Sequence, residues 1–334
     1  MPSAASRVSR ICFGHETALP ILRSIAPGSF AVAKGSARRL PDRAPTRGEL
    51  ESAIARIELS CAGARIGRPA HILIGSGSRC RVSETCVPHV CAVELSGTSF
   101  YQVGEGIFVS SPALAFVHLA ARQRSLVSLL ELGGELCGTY QSKRTGVDSA
   151  YDVAPLCSAR ELGDFVARNP SVRGARRVAR ALPYLMDSSA SPRETKQALL
   201  FGLSKRHGGY GLGIPRMNYE VRASEAARAI SGRRSFRCDL CWPERKLDVE
   251  YQSKEAHEGE YMRIRDSRRT NALIAMGWTV VCVTNDELDS FVATETIART
   301  LGRRLGVRPQ ARFDDYHARK LKLRRQLGLP MGYA

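Results

Sequence analysis

Two short stretches of the 334-residue chain carry carboxylates in a pattern that suits chemistry. They are Ser235-Phe-Arg-Cys-Asp-Leu-Cys-Trp242 and Leu247-Asp-Val-Glu-Tyr-Gln-Ser253, separated by Pro243-Glu-Arg-Lys246. With the four-residue separator as a turn, the flanking runs form a hairpin. Asp239 then faces Glu250, Cys241 faces Asp248 and Cys238 faces Tyr251. Side chains alternate between the faces of a strand. One face carries Cys238, Leu240, Trp242, Leu247, Val249 and Tyr251, and the other carries Asp239, Cys241, Asp248, Glu250 and Gln252. This division into an apolar and a polar face supports the register, because a one-residue slip would exchange the two. It also predicts Cys238 and Cys241 on opposite faces, as packing residues and not as half a zinc site.

Opposed Asp239 and Glu250 would have Cβ atoms roughly 5 Å apart. Two carboxylates that close repel unless a cation lies between them. Oxygen ligands converging at a strand end suit Mg²⁺, which keeps several waters and bridges to substrate phosphate. A solvated strand face balanced by nearby arginines is the plainer alternative.

The surrounding sequence supplies elements to position this pair. Ser191-Pro-Arg-Glu194 is a capping-box sequence with proline at the first helical position, predicting a helix from there to about Arg206, ended by Gly208-Gly209. Arg216–Arg222 reads as a strand and Glu260–Met276 as a helix carrying Arg263, Arg265, Arg268 and Arg269, with Gly277 as its stop. A buried strand from Trp278 follows, and Thr284-Asn-Asp-Glu287 caps a final helix. The order is helix, three strands, helix, strand, helix.

Residues 191 to 305, about a third of the chain, resemble the restriction-endonuclease-like PD-(D/E)xK superfamily, and within it the small domains related to the very-short-patch mismatch-repair endonuclease. The resemblance rests on Glu194, Asp239, Leu-Asp-Val-Glu250-Tyr-Gln252, Asp266-Ser-Arg-Arg269 and Gly277-Trp278-Thr-Val-Val-Cys-Val-Thr284. It implies that Asp239 and Glu250 ligate Mg²⁺ or Mn²⁺, that Glu194 supplements them, and that Asp266 and Arg269 lie near the active site. Glu194 also has a competing role as the third residue of its capping box. The family's lysine corresponds to Gln252, which carries no charge. Lys254 is on the same strand face and His257 is a nearby base.

Before this domain, residues 1–70 give little pattern, and 71–187 mix short β-type runs with a helical segment from Ser111 towards Leu136. Ser111-Pro112 is an N-cap followed by proline. The stretch Gly106-Ile-Phe-Val-Ser-Ser-Pro through Cys137 resembles the middle domain of abortive-infection (AbiEi-type) antitoxins, which implies a DNA-binding regulator. Arg173, Arg176, Arg177 and Arg180 form a basic helical segment ahead of the linker near 187. Residues 306–334 form a basic tail in which Arg319-Lys-Leu-Lys-Leu-Arg-Arg325 reads as a helix or arm for a phosphate backbone.

Fifty basic against 32 acidic residues give a net charge of +18, shared almost evenly between 1–187 (+8) and 188–334 (+10). Such an excess suits a polyanionic partner, although only eight of the basic residues are lysine and an arginine-rich composition also follows from a GC-rich genome. A hydrophobic content of 43% excludes a disordered chain. No apolar run is long enough to span a bilayer and no signal-peptide pattern opens the chain, so a cytoplasmic protein is expected. Its ten cysteines are then thiols. Cys80, Cys86, His89 and Cys91 cluster in sequence, but their irregular spacing does not favour a structural zinc site.

The expected fold class is α/β (α+β), with a restriction-endonuclease-like mixed sheet flanked by helices after an N-terminal α+β regulatory-type domain. The expected function is a Mg²⁺- or Mn²⁺-dependent DNA endonuclease or nickase acting in repair or phage defence. Asp239, Glu250, Gln252 and Glu194 would form its site, and Arg233, Arg234, Arg237, Arg268 and Arg269 would meet DNA. The alternative is a DNA-binding, antitoxin-like regulator whose nuclease fold has lost its chemistry, with a toxin or other protein partner left unassigned. A generic interaction protein stands third.

Overall fold

A computed structural model describes residues 10–25, 31–33, 39–61, 63–77, 81–123, 125–252, 260–308 and 313–332. Lys254 and His257 lie outside these residues, as does Cys80. The chain is mixed α and β and divides into two compact units. One comprises residues 1–124 and 140–183, the other 125–139 and 184–334.

The first unit is built on a six-stranded sheet. It contains β1 (Ile11–Phe13), α1 (His15–Ser24), β2 (Ala31–Val32), α2 (Arg47–Ser60), β3 (Ala70–Ile74), β4 (Cys86–Val90), β5 (Phe100–Gly104), β6 (Ile107–Ser110) and α3 (Pro112–Arg122). The strand order is β2-β5-β6-β1-β3-β4. The first 70 residues, uninformative by pattern, thus supply an inner strand: β1 pairs in parallel with β6 and antiparallel with β3. Phe13, Ile21, Ile54, Ile72, Phe100 and Phe116 are buried in this unit.

The helical segment expected from Ser111 to Leu136 is two helices. Ser111 caps α3 as expected, its side chain accepting from the Leu114 N–H. The helix stops at Gln123 (ψ 133°), and Ser125 caps a new one by accepting from the Ser128 N–H. The new helix, α4 (Leu126–Leu136), belongs to the second unit. The chain then returns to the first unit for β7 (Tyr140–Gln141), β8 (Ala150–Tyr151), α5 (Ala159–Arg168) and α6 (Ala175–Ala181).

The basic segment expected near Arg173–Arg180 is α6 and the turn before it. Arg177 is not a free surface charge: its guanidinium donates to the carbonyls of Ala120 and Gln123 at the end of α3. Gly174 makes the close approach of these helices feasible. It sits at φ +108°, and a Cβ there would lie 2.0 Å from the Val117 carbonyl oxygen. Gly174→Ala is expected to cost about 3 kcal/mol or more of stability, read as a lowered thermal midpoint.

The second unit contains α4, α7 (Pro192–Gly202), β9 (Arg216–Arg222), α8 (Glu225–Ser231), β10 (Ser235–Trp242), β11 (Leu247–Gln252), α9 (Glu260–Ala275), β12 (Thr279–Thr284), α10 (Asn285–Asp289), α11 (Phe291–Leu305) and α12 (Tyr316–Gln326). Its sheet has the order β12-β11-β10-β9, with β9, β10 and β11 antiparallel and β12 parallel to β11. A parallel neighbour requires a crossover, and α9 provides it. Helix α7 ends short of the expected Arg206, because Gly209 folds back onto Leu203. A Cβ at Gly209 would lie 2.1 Å from the Leu203 carbonyl oxygen.

The basic tail is part of this unit. In α12, Lys320 and Arg324 are buried along with Leu323. Lys320 pairs with Glu295, and Arg324 donates to the carbonyls of Leu288, Asp289 and Pro330 and to the Thr294 hydroxyl. This helix is therefore not an arm free to lie along phosphates, although Lys322 and Arg325 are exposed. Among the described residues no helix is long and apolar enough to cross a membrane.

Candidate functional site

The hairpin forms in the expected register. Leu240 pairs with Val249, Cys241 with Asp248 and Trp242 with Leu247 around a turn in which Lys246 takes φ +47°. The ladder stops before Asp239 and Glu250. On the other side, β10 pairs with β9 in one register from Ser235 to Cys241, but no bridge joins Asp239 to its opposite residue, Asn218. Asn218 sits at φ +49°, a left-handed conformation that asparagine tolerates better than most side chains.

This break frees Asp239 from the ladder. Its carboxylate Oδ2 accepts a 2.9 Å hydrogen bond from the Tyr251 N–H, so a side chain replaces a backbone carbonyl in holding β11. Alternation is lost at the same point. Cys238 and Cys241, expected on opposite faces, share one apolar cluster with Phe236, Ala272, Leu273 and Trp278. The supposed polar face is also covered, since Asp248 and Cys241 have no exposed surface.

Asp239, Glu250 and Gln252 line a single cleft of about 320 Å³, together with Arg233, Arg237, Arg265, Asp266 and Arg269. Helix α9 presents Arg265, Asp266, Arg269 and Thr270 to it, two i,i+4 pairs on one helical face. Arg234 and Arg268 are exposed and do not line the cleft. Of the five arginines expected to meet DNA, three are gathered there.

Glu194 does not line the cleft, and what the structure shows is its role at the start of α7. Its carboxylate accepts from the Ser191 hydroxyl (3.1 Å) and the Ala190 N–H (3.0 Å), which secures the start of α7. It also accepts from Asn218 Nδ2 at 2.9 Å, and Asn218 Oδ1 accepts from Arg237 Nε at 2.8 Å. Glu194 thus fixes a cleft arginine through the residue that breaks the strand. Nothing in the sequence signals Asn218; its role follows from its backbone conformation.

The carboxylates are poorly solvated. Burial, then the charge of Glu250, raises the Asp239 pKa to about 7. Burial raises Asp248 to about 8, and burial followed by Asp248 raises Glu250 to about 9. Burial, then Asp239, also raises Glu194. Arg269 is the local counter-ion. Its Nη2 donates to Glu250 Oε1 at 2.5 Å and to the Arg237 carbonyl at 2.6 Å, and lies 3.8 Å from Asp248 Oδ2. Both oxygens of Asp248 are buried, and its carboxyl is hydrogen-bonded only within the cluster, to Glu250 and Cys238.

Deprotonated together, these carboxyls would carry more negative charge than one guanidinium can balance, which a divalent cation would offset. The ligand atoms of Cys238, Asp248 and Glu250 lie within 4.8 Å of one another. Neighbouring Cys241, then burial, raises the Cys238 pKa, so the thiol is a weak ligand. The oxygens of Asp248 and Glu250 are the donors of this group suited to Mg²⁺ or Mn²⁺, and Asp239, which lines the same cleft as Glu250, is not part of the group.

A stability prediction follows. Carboxyls whose folded pKa exceeds the unfolded value hold extra protons in the native state, so stability is full below pH 4 and lost as pH rises towards 9. In chelator, the second unit should lose a few kcal/mol, about 5–10 °C in Tm, between pH 6 and pH 9. Millimolar Mg²⁺ or Mn²⁺ should restore most of this at pH 9 and little at pH 6, as thermal denaturation would show. A Tm rising with pH in chelator contradicts the assignment.

No protein-family model matches the chain, and no solved structure matches it. Two proteins of Mycobacterium tuberculosis, from strains CDC 1551 / Oshkosh and ATCC 25618 / H37Rv and both described only as uncharacterized, are 27% identical to it over 132 residues. The match covers 40% of this chain and 44% of each relative, so the chain spans less than half the length of the curated proteins it is similar to.

Proposed function

We propose that the chain is a metal-dependent DNA endonuclease or nickase, with Mg²⁺ or Mn²⁺ held by Asp239 and Glu250 and aided by Asp248. The observation that carries this reading is the meeting of Asp239, Glu250 and Gln252 in one arginine-lined cleft at a break in the sheet. Apart from α8 between β9 and β10 and the break between α10 and α11, the element order and the single parallel strand, β12, are in keeping with the restriction-endonuclease-like resemblance. A cytoplasmic location goes with a DNA substrate.

When bound, the metal would supply Lewis acidity to a phosphate oxygen and lower the pKa of a bound water. The protein groups do the rest. Asp239 and Glu250 bind on adjacent strands whose separation is fixed by the Tyr251–Asp239 hydrogen bond. Arg233 and Arg237 offer guanidinium donors to the phosphate oxygens. The Gln252 amide can orient a water by hydrogen bonding, but without the charge of a lysine.

A regulator with an inactive nuclease fold is favoured by two particulars, Gln252 itself and the Arg269 guanidinium already seated on Glu250. Incubating the whole chain with supercoiled plasmid separates the readings. Nicking that requires Mg²⁺ or Mn²⁺ supports the enzyme. Retarded mobility without cleavage in either metal supports the regulator, and no binding at low salt leaves neither.

A further inference from the structure

The first unit holds a second concentration of chemistry, which shares no residue with the carboxylate cleft and does not depend on the nuclease reading. Four of the chain's seven histidines meet there from separate elements: His15 at the start of α1, His71 in β3, His89 in β4 and His118 in α3. Their rings form one stacked column. His71 and His89 lie 5.0 Å apart between centroids, His89 and His15 3.7 Å, and His15 and His118 4.9 Å, with interplanar angles of 12°, 22° and 11°. A cavity of about 580 Å³ is walled by His15, His89 and His118 of this column, by the apolar Leu73 and Val172, and by Arg173. A second hollow of about 340 Å³ continues from it. Ala121, Ser171, Val172 and Arg173 line both, and the second adds Arg176 and Arg177.

The two hollows differ in chemistry. The first is walled by flat rings set below the surface: His15 and His118 are 7% and 6% exposed, and the Nδ1 atom of each is buried without a hydrogen-bond partner. His15 also holds φ +50°, so the backbone is strained where it delivers its ring. Burial first of all lowers His15 to about 2 and His89 and His118 to about 4, which leaves the column uncharged at neutral pH. The second hollow is cationic, and no carboxylate lines either. Arg122, at the edge of the first, is paired with Glu16 at 3.3 Å, and Arg177 is held by the carbonyls of Ala120 and Gln123. Arg173 and Arg176 are exposed and pair with no carboxylate among the described residues.

An occupant that matches both hollows brings a flat ring to the column and negative charge to Arg173 and Arg176, with the charge extending past the cavity. A nucleotide chain has this form, with aromatic bases edged by hydrogen-bond donors and acceptors on a backbone of regularly spaced phosphates. We propose that the groove formed by the two hollows binds single-stranded nucleic acid, with one unstacked base in the histidine-walled cavity and the neighbouring phosphates on Arg173 and Arg176. The strand is single because His15 and His118 lie below the surface, where a base held in a duplex stack does not reach. The arginines attract without reading sequence, and stacking on a flat ring tolerates every base. A free nucleotide would fill the first cavity alone; the cationic second hollow favours a strand.

The test uses the full chain carrying Arg233→Ala and Arg237→Ala, in chelator, so that the carboxylate cleft neither cleaves nor supplies those two phosphate contacts. Fluorescence anisotropy with a short labelled single-stranded DNA reads affinity against salt. An abasic strand of equal length and charge should bind about tenfold more weakly or worse. Arg173→Ala Arg176→Ala should weaken binding of the intact strand about tenfold and flatten the slope of log K against log salt by about 1.4, two contacts at about 0.7 each. His89→Ala should weaken it about tenfold with the slope unchanged, and the abasic comparison carries the same information should that variant fail to fold. Equal affinity for abasic and intact strands, an unchanged salt slope in the arginine variant, tighter binding of the duplex of the same sequence, or a mononucleotide bound as tightly as the strand would each overturn the proposal.

Discussion

Glu250→Ala and Asp239→Ala should each reduce metal-dependent nicking of supercoiled plasmid by about a thousandfold or more, equivalent to ~4 kcal/mol of transition-state stabilisation. Both side chains line the cleft, and each lies where it is costly to keep charged without a cation. Loss of folding does not account for the expected effect, because these changes remove carboxyls that are costly to bury. Glu250→Ala frees Arg269 from its 2.5 Å partner but leaves it near Asp248, and Asp239→Ala removes one bond to the Tyr251 N–H. The variants should therefore unfold within about 1–2 kcal/mol of the parent. Nicking that persists in both variants, with wild-type metal dependence, would sink the assignment of these carboxylates. Gln252→Ala tests a lesser role, with a loss of about tenfold expected for a neutral water-orienting group.

Arg324→Met should cost about 3–5 kcal/mol, the largest stability loss expected from a single surface-to-core helix in this chain. Arg324 has no exposed surface and, among the described residues, carries its charge into the second unit with no ion pair to a carboxylate. Four acceptors meet it instead: the carbonyls of Leu288, Asp289 and Pro330 and the Thr294 hydroxyl. Methionine fills much of the volume but leaves those oxygens unpaired. Both tryptophans of the chain, Trp242 and Trp278, are in this unit, so urea unfolding followed by tryptophan fluorescence reports on it alone. A shift under about 1 kcal/mol would mean that water reaches the carbonyls and that the buried guanidinium is dispensable.

The elements nearest the cleft were legible because their determinants are local. A proline-led turn set the hairpin register, Ser191 announced its helix and β9 falls on the residues its pattern marked, whereas Thr284 caps only the short α10 and Ser290 starts the helix carrying Phe291. What was not legible depends on distance or on a broken rule. Strand β1 is three residues long, and its partners lie some 60 and 96 positions away in β3 and β6, so no periodicity reveals it. Strict alternation failed at Asp239 because an asparagine opposite it takes a left-handed turn. Arginines could be counted from sequence, but not assigned: Arg269 to Glu250, Arg177 to a helix end, Arg324 to the core. The four histidines are scattered over more than 100 residues, and only His89 drew notice, for the wrong neighbours.

The excursion of α4 sets a limit on how this protein can be divided. Nine of its eleven residues are buried, and Gly134 approaches Thr195 of α7 so closely that a Cβ there would lie 2.9 Å from the threonine methyl. A gene cut at the 183/184 boundary would deprive the second unit of that helix and strand it, with its leucines bare, on the fragment carrying the first. Neither core is a continuous stretch of chain, which passes between them three times. Shuffling, truncation or independent loss of either half is thereby closed to simple genetic events, and the two halves must be inherited together.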